Sequence, residues 1–508
     1  MESYRLIGRL VAPVCMLAVF LFCAQGYYFS SDDPFFLVSA RQDPAAVDAL
    51  LHPVGRWLNA ALLKASFGLL EGIGDLVWLR MLTAVLLMIF AAALARLLFL
   101  LGVEAGTAIS VGTFALLTPA TMPILAWAQH WTVALGGLLV ASGFIALLVA
   151  EKRTFETSLV AVLCAGALLF LAASINQQLL GFSGVFFFML VFHARSDGLI
   201  LRRSMMSLGA ICIAYLSAYI STKMVPGGPG ERAAITSDIS GKIDWFLSEP
   251  LPNASLLVLF PRMFDGIATA TMIAWLVLSG IAAGIMLLRR GGWAQNAVIL
   301  CMFAVAILLS YGPTLAVSEN WASYRTLWPL QTLLTVALLM VSADRLGSAA
   351  ARRVRPVLAA TVVPLLALWL YQYQTHIREP YLVEARHAQE VITQQISSAP
   401  STSEDGTLRV VYPHWSEAFS SVQYYDDIGG PSVRAWTVVP LVRLLLQELG
   451  RPVSTETIKP ISFEDRETLW QDADIIDLTD YAGRSRLVLR PKFKAPEGGV
   501  SYPLENGN

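Results

Sequence analysis

Hydrophobic residues occur along this chain in long, nearly uninterrupted runs that short polar segments separate. A helix needs about 20 apolar residues to cross about 30 Å of hydrocarbon, and most of the runs approach that length. The pattern therefore predicts about eleven membrane-spanning helices, near residues 9–28, 76–101, 106–125, 131–150, 157–175, 179–194, 205–222, 266–288, 294–311, 327–342 and 356–373.

The first run begins with a short basic head, as a secretory signal peptide does. Its apolar stretch is longer than that of a signal peptide, and no A-x-A cleavage pattern follows it. We therefore expect an uncleaved first span.

Basic residues recur in alternate short loops, which predicts that these loops face the cytoplasm. They place the N-terminus in the cytoplasm and favour a multi-pass protein of the bacterial inner membrane. The residues that carry this signal are Arg5, Arg9, Lys152, Arg153, Arg195, Arg202, Arg203, Arg289, Arg290, Arg345, Arg352, Arg353 and Arg355.

Two predicted outer loops carry segments that resemble surface helices. In the loop at 30–75, the apolar residues of HPVGRWLNAALLKASFGLL recur at helical intervals, and polar residues lie between them. In the loop at 223–264, KIDWFLSEPL combines aromatic and charged residues. Both segments predict helices that lie along the membrane surface. Such helices could cover a functional site, or they could serve only as interfacial anchors.

The composition changes near Gln374 to that of a soluble domain. An amphipathic helix, two short strands and a second helix follow, which favours an α/β arrangement. The predicted fold class is thus mainly α: a polytopic bundle of about eleven transmembrane helices at 1–373, with interfacial helices, and a small periplasmic α/β domain at 374–508.

Composition supports this assignment. Of the 508 residues, 56% are hydrophobic and only 14% are charged, which excludes an ordinary soluble protein. The five cysteines lie in apolar runs without a CxxC pair, which argues against disulfides and thiolate metal sites. The net charge of −1 says little about partners, and we expect no nucleic acid among them.

Asp32 and Asp33 are the strongest candidates for chemistry, because they directly follow the first predicted span. Charged residues near membrane depth are costly and commonly mark a functional site. A carboxylate pair can act as a general base or hold a divalent cation such as Mg²⁺ or Mn²⁺. The same two residues would equally fit an acidic turn that ends the helix before Pro34 and has no chemical role.

Further polar residues occur on the same predicted face. Arginine forks bind phosphate oxygens, so Arg41, Arg56 and Arg325 are candidates for binding a lipid-linked phosphate. Other residues are candidates for contacts with a sugar or an acceptor, although each alone is more often a helix cap or an interhelical hydrogen bond. These are His52, His130, Asn176, Gln177 and Tyr324.

The stretches SDDPFFLVSA and HPVGRWLNAALL resemble the first outer loop of GT-C superfamily glycosyltransferases. The resemblance is closest to the O-antigen serotype-converting glucosyltransferase family, in which an aspartate pair follows the first span and a segment like Gly55-Arg56 begins the surface helix. SINQQLLGFSGVFFFMLV resembles the family's span that begins with a glutamine-containing patch, although Asn176 stands where the family has an aromatic residue. The order of spans and loops resembles that of the family over most of residues 1–373, whereas the sequence resembles it only in these short stretches.

The resemblance implies transfer of a sugar, glucose by analogy, from a polyprenyl-phosphate donor to an O-antigen, another envelope polysaccharide or a lipid-linked glycan. Asp32 or Asp33 would deprotonate the acceptor hydroxyl in a single inverting displacement, and Arg56 or Arg325 would offset charge on the departing phosphate. The implied partners are the lipid bilayer, a flippase and a glycosyltransferase that makes the donor. A divalent cation is compatible with this chemistry but is not required.

Other classes of protein would also need a polar cavity among many spans. A transporter or flippase of a lipid-linked sugar is one, although an odd number of spans and the lack of an inverted repeat disfavour it. A polysaccharide polymerase or ligase would rely on arginines and a histidine rather than on an acid pair. A scaffold in an envelope complex would use its outer domain and would tolerate loss of the acids.

The predicted topology can be tested at the C-terminus. We expect a reporter fused after Asn508 to be active outside the cytoplasm, because eleven spans carry the chain from one side to the other. Paired alkaline phosphatase and green fluorescent protein fusions measure this. A fluorescent, phosphatase-inactive pair would contradict the topology.

Overall fold

The computed structural model describes residues 13–14, 16–18, 20–21, 24–30, 32–151, 153–194, 196–225, 234–258, 293–345, 379–398, 407–412, 436–451, 458–462 and 475–477. The chain divides into two compact units, Met1–Leu382 and Val383–Asn508. The described part is mostly helical, as the hydrophobic pattern predicts.

The helices of the first unit are α1 Asp33–Gln42, α2 Pro44–Leu51, α3 Trp57–Phe67, α4 Leu76–Leu100, α5 Ala105–Leu116, α6 Met122–Ala126, α7 Trp131–Ala150, α8 Phe155–Ile175, α9 Phe182–Phe192, α10 Asp197–Lys223, α11 Ile239–Ser248, α12 Pro250–Val258, α13 Trp293–Ala316 and α14 Tyr324–Arg345. Short 3₁₀ turns precede α4, α6, α7 and α9, at Ile73–Asp75, Pro119–Thr121, Ala128–His130 and Gln177–Gly181. Helix α15, Glu379–Ser398, crosses the boundary between the two units.

Five helical segments of the described chain are long and apolar enough to cross a membrane. They are Ile73–Leu100, Ala128–Ala150, Phe155–Ile175, Asp197–Lys223 and Ala297–Ala316. This supports a multi-pass helical membrane protein that associates with a lipid bilayer. The predicted spans at 266–288 and 356–373 lie outside the described residues, as does much of 9–28. The count of eleven therefore stays a prediction.

Two of the predicted runs form shorter helices than expected. The run at 106–125 breaks after Leu116, and Pro119 lies in the 3₁₀ turn that follows, while Pro123 lies in the short helix α6. The run at 179–194 begins as a 3₁₀ turn, and its 11-residue helix α9 is buried along its whole length. At 1.5 Å per residue, α9 spans only about 17 Å, which is less than the hydrocarbon thickness. Helix α9 is therefore a core element of the bundle.

The long helices pack around this buried segment. Helix α7 lies between α4 and α8, α8 also contacts α10, and α9 packs against α13 and α14. An aromatic cluster joins the elements, because Phe90 of α4 and Phe182 of α9 both contact Trp328 of α14 edge to face. Aromatic pairs of this kind add to the free energy gained by burial alone.

At one end of the bundle a buried ion pair joins α10 to the end of α7. Arg203 donates from Nε and Nη2 to the two carboxylate oxygens of Glu151, at 2.8 and 3.0 Å, and from Nη1 to the Leu190 carbonyl at 2.7 Å. Glu151 is thus the partner of one of the basic residues that predicted the cytoplasmic side.

Helices α1, α2 and α3 of the first long loop pack against one another, and α3 contacts α8. A helix forms at 57–67 as predicted, with Asn59, Ala60, Leu63 and Phe67 buried. Trp57, from the predicted apolar face, is 38% exposed. The loop is therefore a compact helical layer that lies against the bundle.

In the second unit three parallel strands form a sheet in the order β2-β1-β3. They are β1 Leu408–Tyr412, β2 Ile458–Ser462 and β3 Ile475–Asp477, and the register pairs Val410 with Pro460 and Ile476. Helix α16, Val438–Glu448, packs on β1 and β2. Parallel strands with a covering helix are typical of α/β folds. The boundary predicted at residue 374 stays a prediction.

Candidate active site

The two predicted acids lie at the start of α1 in different environments. Asp33 is fully buried, and its Oδ2 accepts a hydrogen bond from the Ser30 backbone N–H at 2.8 Å. Its Oδ1 and the Ser30 hydroxyl have no hydrogen-bond partner within the described part of the chain. Asp32 is only partly buried. The pair thus consists of one enclosed and one accessible carboxyl group.

Arg80 of α4 fixes the backbone that leads into this pair. It is fully buried, and its guanidinium donates to the carbonyls of Ala24, Gly26 and Tyr28, at 3.1, 2.6 and 3.0 Å. The guanidinium also lies 3.8 Å above the centroid of the Tyr28 ring. Three carbonyl bonds and a ring contact hold the segment before Ser30 in one conformation.

Burial and neighbouring charges act on Asp33 in opposite directions. Burial raises the pKa of Asp33 to about 6, although the Ser30 backbone N–H and the charge of Arg80 lower it. The protonated form of this carboxyl group is therefore favoured over a wider pH range than in water.

The partly exposed acid is held from another element. Gln129, which is 8% exposed, donates from Nε2 to Asp32 Oδ2 at 3.1 Å. Its neighbour His130 is buried, and its Nδ1 lies 3.0 Å from the Pro123 carbonyl. A carbonyl oxygen can only accept, so Nδ1 carries the proton. The turn Ala128–His130 therefore presents one side chain to the acid and keeps the next in the protein interior.

Arg325 and His130 both pack against the ring system of Trp127. The Arg325 guanidinium is 4.6 Å from the centroid of the Trp127 ring, and the His130 ring stacks on Trp127 at 5.0 Å and an angle of 7°. Arg325 and Arg56 are both near enough to His130 to interact with it electrostatically. Two of the three predicted phosphate-binding arginines are thus gathered around the turn that contacts Asp32.

Arg56 reaches this position through a tight turn at the end of α2. Gly55 has φ +73°, a conformation that favours glycine, and a Cβ there would lie 2.7 Å from Thr222 Oγ1 and 2.9 Å from Gln177 Nε2. The Gln177 amide donates to the Val54 carbonyl and accepts from Arg56 Nε at 3.3 Å. The predicted Gly-Arg segment therefore packs directly against the predicted glutamine patch.

A narrow pocket lies beside Arg325. It is lined by Ile124, Val133, Asn176, Gln178, Leu179, Arg325, Trp328 and Pro329. The Trp328 side chain is buried, and its Nε1 has no acceptor within the described chain. Asn176 caps the turn that follows it by accepting from the Gln178 N–H at 3.1 Å, and Tyr324 is buried at the start of α14.

Two other predicted residues have local partners. Arg41 is exposed, and its Nε donates to the Gly68 carbonyl at 3.1 Å. His52 Nε2 lies 3.2 Å from Asp48 Oδ1, and Lys64 binds the same carboxylate at 2.6 Å. None of these contacts involves Asp32 or Asp33, so the proposed roles of Arg41 and His52 stay predictions.

The sequence reasoning missed Arg80 and Gln129. Arg80 could have been identified from the sequence, because a charged residue inside a predicted span is rare and commonly has a functional or structural partner. Gln129 carries none, since a glutamine in a loop is unremarkable until its partner is known. Among the described residues no group of three or more His, Cys, Asp or Glu side chains could hold a metal ion. The cation considered for Asp32 and Asp33 stays a prediction.

No protein-family model matches the chain, and no curated protein is significantly similar to it.

The environment of Asp33 predicts a pH dependence of stability. The folded-state pKa of about 6 exceeds the ordinary value of 3.8. The folded state therefore binds more protons between these values, and the free energy of unfolding falls as pH rises through this window. The loss approaches about 3 kcal/mol, because one pKa unit corresponds to about 1.4 kcal/mol.

Asp33→Asn removes this titration. We expect the variant to become more stable relative to the unmodified protein as the pH rises from 4.5 to 7.5. The unfolding temperature of the variant minus that of the unmodified protein should therefore increase over this range. Thermal unfolding in detergent measures it, with Asp48→Asn as the control at a partly buried ion pair. A difference that is independent of pH would contradict the assignment.

Proposed function

We propose that this chain is a membrane glycosyltransferase that moves a sugar, glucose in the first instance, from a polyprenyl-phosphate donor to an O-antigen or another envelope polysaccharide. One observation carries the proposal. Asp32 is bound by Gln129, and the adjacent His130 lies within electrostatic range of both Arg56 and Arg325. A partly accessible carboxylate and two permanent cations therefore lie around the turn Ala128–His130, in a protein whose helices are long and apolar enough to span a membrane.

Asp32 is the better candidate for the general base. It is partly accessible and ordered by one amide, whereas Asp33 is enclosed. A base must reach the proton that it removes, and an enclosed carboxyl group cannot approach an acceptor hydroxyl without opening the α1 turn. We assign Asp33 to holding that turn through its bond to the Ser30 N–H.

The reaction is a single displacement. The acceptor hydroxyl gives its proton to the Asp32 carboxylate, and its oxygen forms a bond to the anomeric carbon. The bond between that carbon and the phosphate oxygen breaks, its electron pair remains on the phosphate, and the anomeric configuration inverts. Arg56 and Arg325 offset the added negative charge on the phosphate, and the proton on Asp32 passes to water.

The remaining candidates fit supporting roles. Asn176 and Gln177 would contact the sugar or the acceptor, and Arg41 and His52 would contribute at the edge of the site. His130 and Tyr324 were predicted to make the same contacts, but both are buried, so they would support the site from within the protein. The donor's apolar tail stays in lipid, so its head group reaches the protein at the membrane rim. The donor, the acceptor, a flippase and a donor-synthesising enzyme are the proposed partners, at the periplasmic face of a bacterial inner membrane.

Asp32→Asn tests the base. We expect the sugar modification to fall at least 100-fold, because a general base contributes about 10²–10⁴ to rate. Mass spectrometry of the surface polysaccharide measures the change in a host that expresses the variant, with protein in the membrane fraction quantified alongside. Asp244→Asn is the matched control, because Asp244 is an exposed acid on α11. Unchanged modification by an inserted Asp32→Asn protein would rule out the base and favour a transporter or a scaffold.

Gln129→Ala tests positioning. Loss of the amide removes a contact that orients the Asp32 carboxylate, so we expect kcat to fall about tenfold with little change in the KM for donor. Steady-state transfer by protein in nanodiscs measures both constants. Gln331→Ala is the control, because it removes another buried amide, whose Oε1 accepts from the Ala120 N–H. Equal effects of the two variants on kcat would contradict a special role for Gln129.

A further inference from the structure

Helix α11 divides its surface among three environments. Lys242 and Phe246 are buried against the protein. Ile239, Ile243 and Leu247 are 68%, 52% and 55% exposed. Ser240, Asp244 and Ser248 are also exposed. At 100° per residue these sets form three separate arcs, which are protein-facing, apolar and polar.

The segment that leads into α11 is tied to candidate spans. The loop begins after Lys223, where the span Asp197–Lys223 ends. Ile235 and Val317 form an antiparallel bridge just beyond the end of the span Ala297–Ala316. Thr236 donates its N–H to the Ala316 carbonyl at 3.1 Å, and Ser318 donates to the Ala234 carbonyl at 2.8 Å. Helix α11 therefore starts at the level where the chain leaves the membrane.

The buried face fixes the rotation of α11 about its axis. Lys242 Nζ donates to the Glu319 carbonyl at 2.8 Å and to Asn320 Oδ1 at 2.7 Å. The Trp245 and Phe246 rings both pack against Tyr311 of α13. The apolar arc cannot turn inward without breaking these contacts, so its exposure is a fixed property of the fold.

We propose that α11 lies in the head-group layer of the membrane, with Ile239, Ile243 and Leu247 in contact with phospholipid acyl chains. A flat row of three aliphatic side chains beside a polar row matches a bilayer surface, where hydrocarbon and water meet within one helix diameter. The occupant is lipid because the chain just before α11 is bonded to the end of the candidate span Ala297–Ala316. The proposal does not require the chain to transfer sugars.

The assigned membrane surface is also the one beside the acid pair. Thr222, one residue before the end of the span Asp197–Lys223, approaches Gly55 in the turn that carries Arg56. Asn320, which binds Lys242, lies in the segment that leads to Arg325 in α14. Lipid contact at α11 therefore borders the region through which a lipid-linked donor would enter.

Spin labels test this arrangement. The five native cysteines are replaced by alanine, and the single substitutions Ile243→Cys and Leu247→Cys are labelled with a nitroxide in phosphatidylethanolamine–phosphatidylglycerol vesicles. Asp244→Cys and Ser248→Cys are the matched controls on the polar arc. We expect oxygen to relax the labels at 243 and 247 several-fold more than a water-soluble nickel chelate does, and the opposite at the controls.

Two results would overturn the proposal. Equal access of the nickel chelate to all four positions would mean that the apolar arc faces water, and exclusion of both reagents from 243 and 247 would mean that protein covers it. A charged maleimide applied to native membranes provides a second readout, with faster labelling expected at 244 and 248. All four residues are exposed, so the substitutions leave the packing of α11 intact.

Discussion

The arrangement at the candidate site depends on one buried guanidinium. Arg80 donates to three backbone carbonyls before Ser30, and this contact sets the path of the chain into Asp32 and Asp33. A buried cation is costly unless its donors are satisfied, so the carbonyls and the arginine stabilise each other. If that segment moved, the Ser30 N–H would leave Asp33, and the acid pair would lose its shape.

The two acids illustrate how environment separates identical residues. Their side chains have the same chemistry and adjacent positions, yet Asp33 is enclosed with a raised pKa while Asp32 is held by an amide and stays accessible. This difference between neighbours supports a division between a structural and a reactive carboxyl group.

The sequence predicted part of this arrangement. Apolar runs predicted the long helices because lipid permits few charged residues, and the pattern at 57–67 predicted α3. Hydrophobicity alone could not show that α9 is enclosed on all sides, because a buried helix and a lipid-facing helix are both apolar. The acid pair and Arg56 could be named from local sequence, but the bond from Gln129 joins residues 97 positions apart. Contacts of that separation arise only from tertiary packing.

Both buried arginines have consequences for biogenesis. Inserting an isolated arginine into a membrane costs about 2.5–3.5 kcal/mol at the centre of a helix. The carbonyls that bind Arg80 lie at 24–28, and the carboxylate that binds Arg203 belongs to Glu151, so each partner precedes its arginine in the chain. Synthesis runs from the N-terminus, and each partner is therefore already made when the arginine leaves the ribosome. Arg80, which lies in the candidate span Ile73–Leu100, can therefore bind its carbonyl partners as soon as its helix forms.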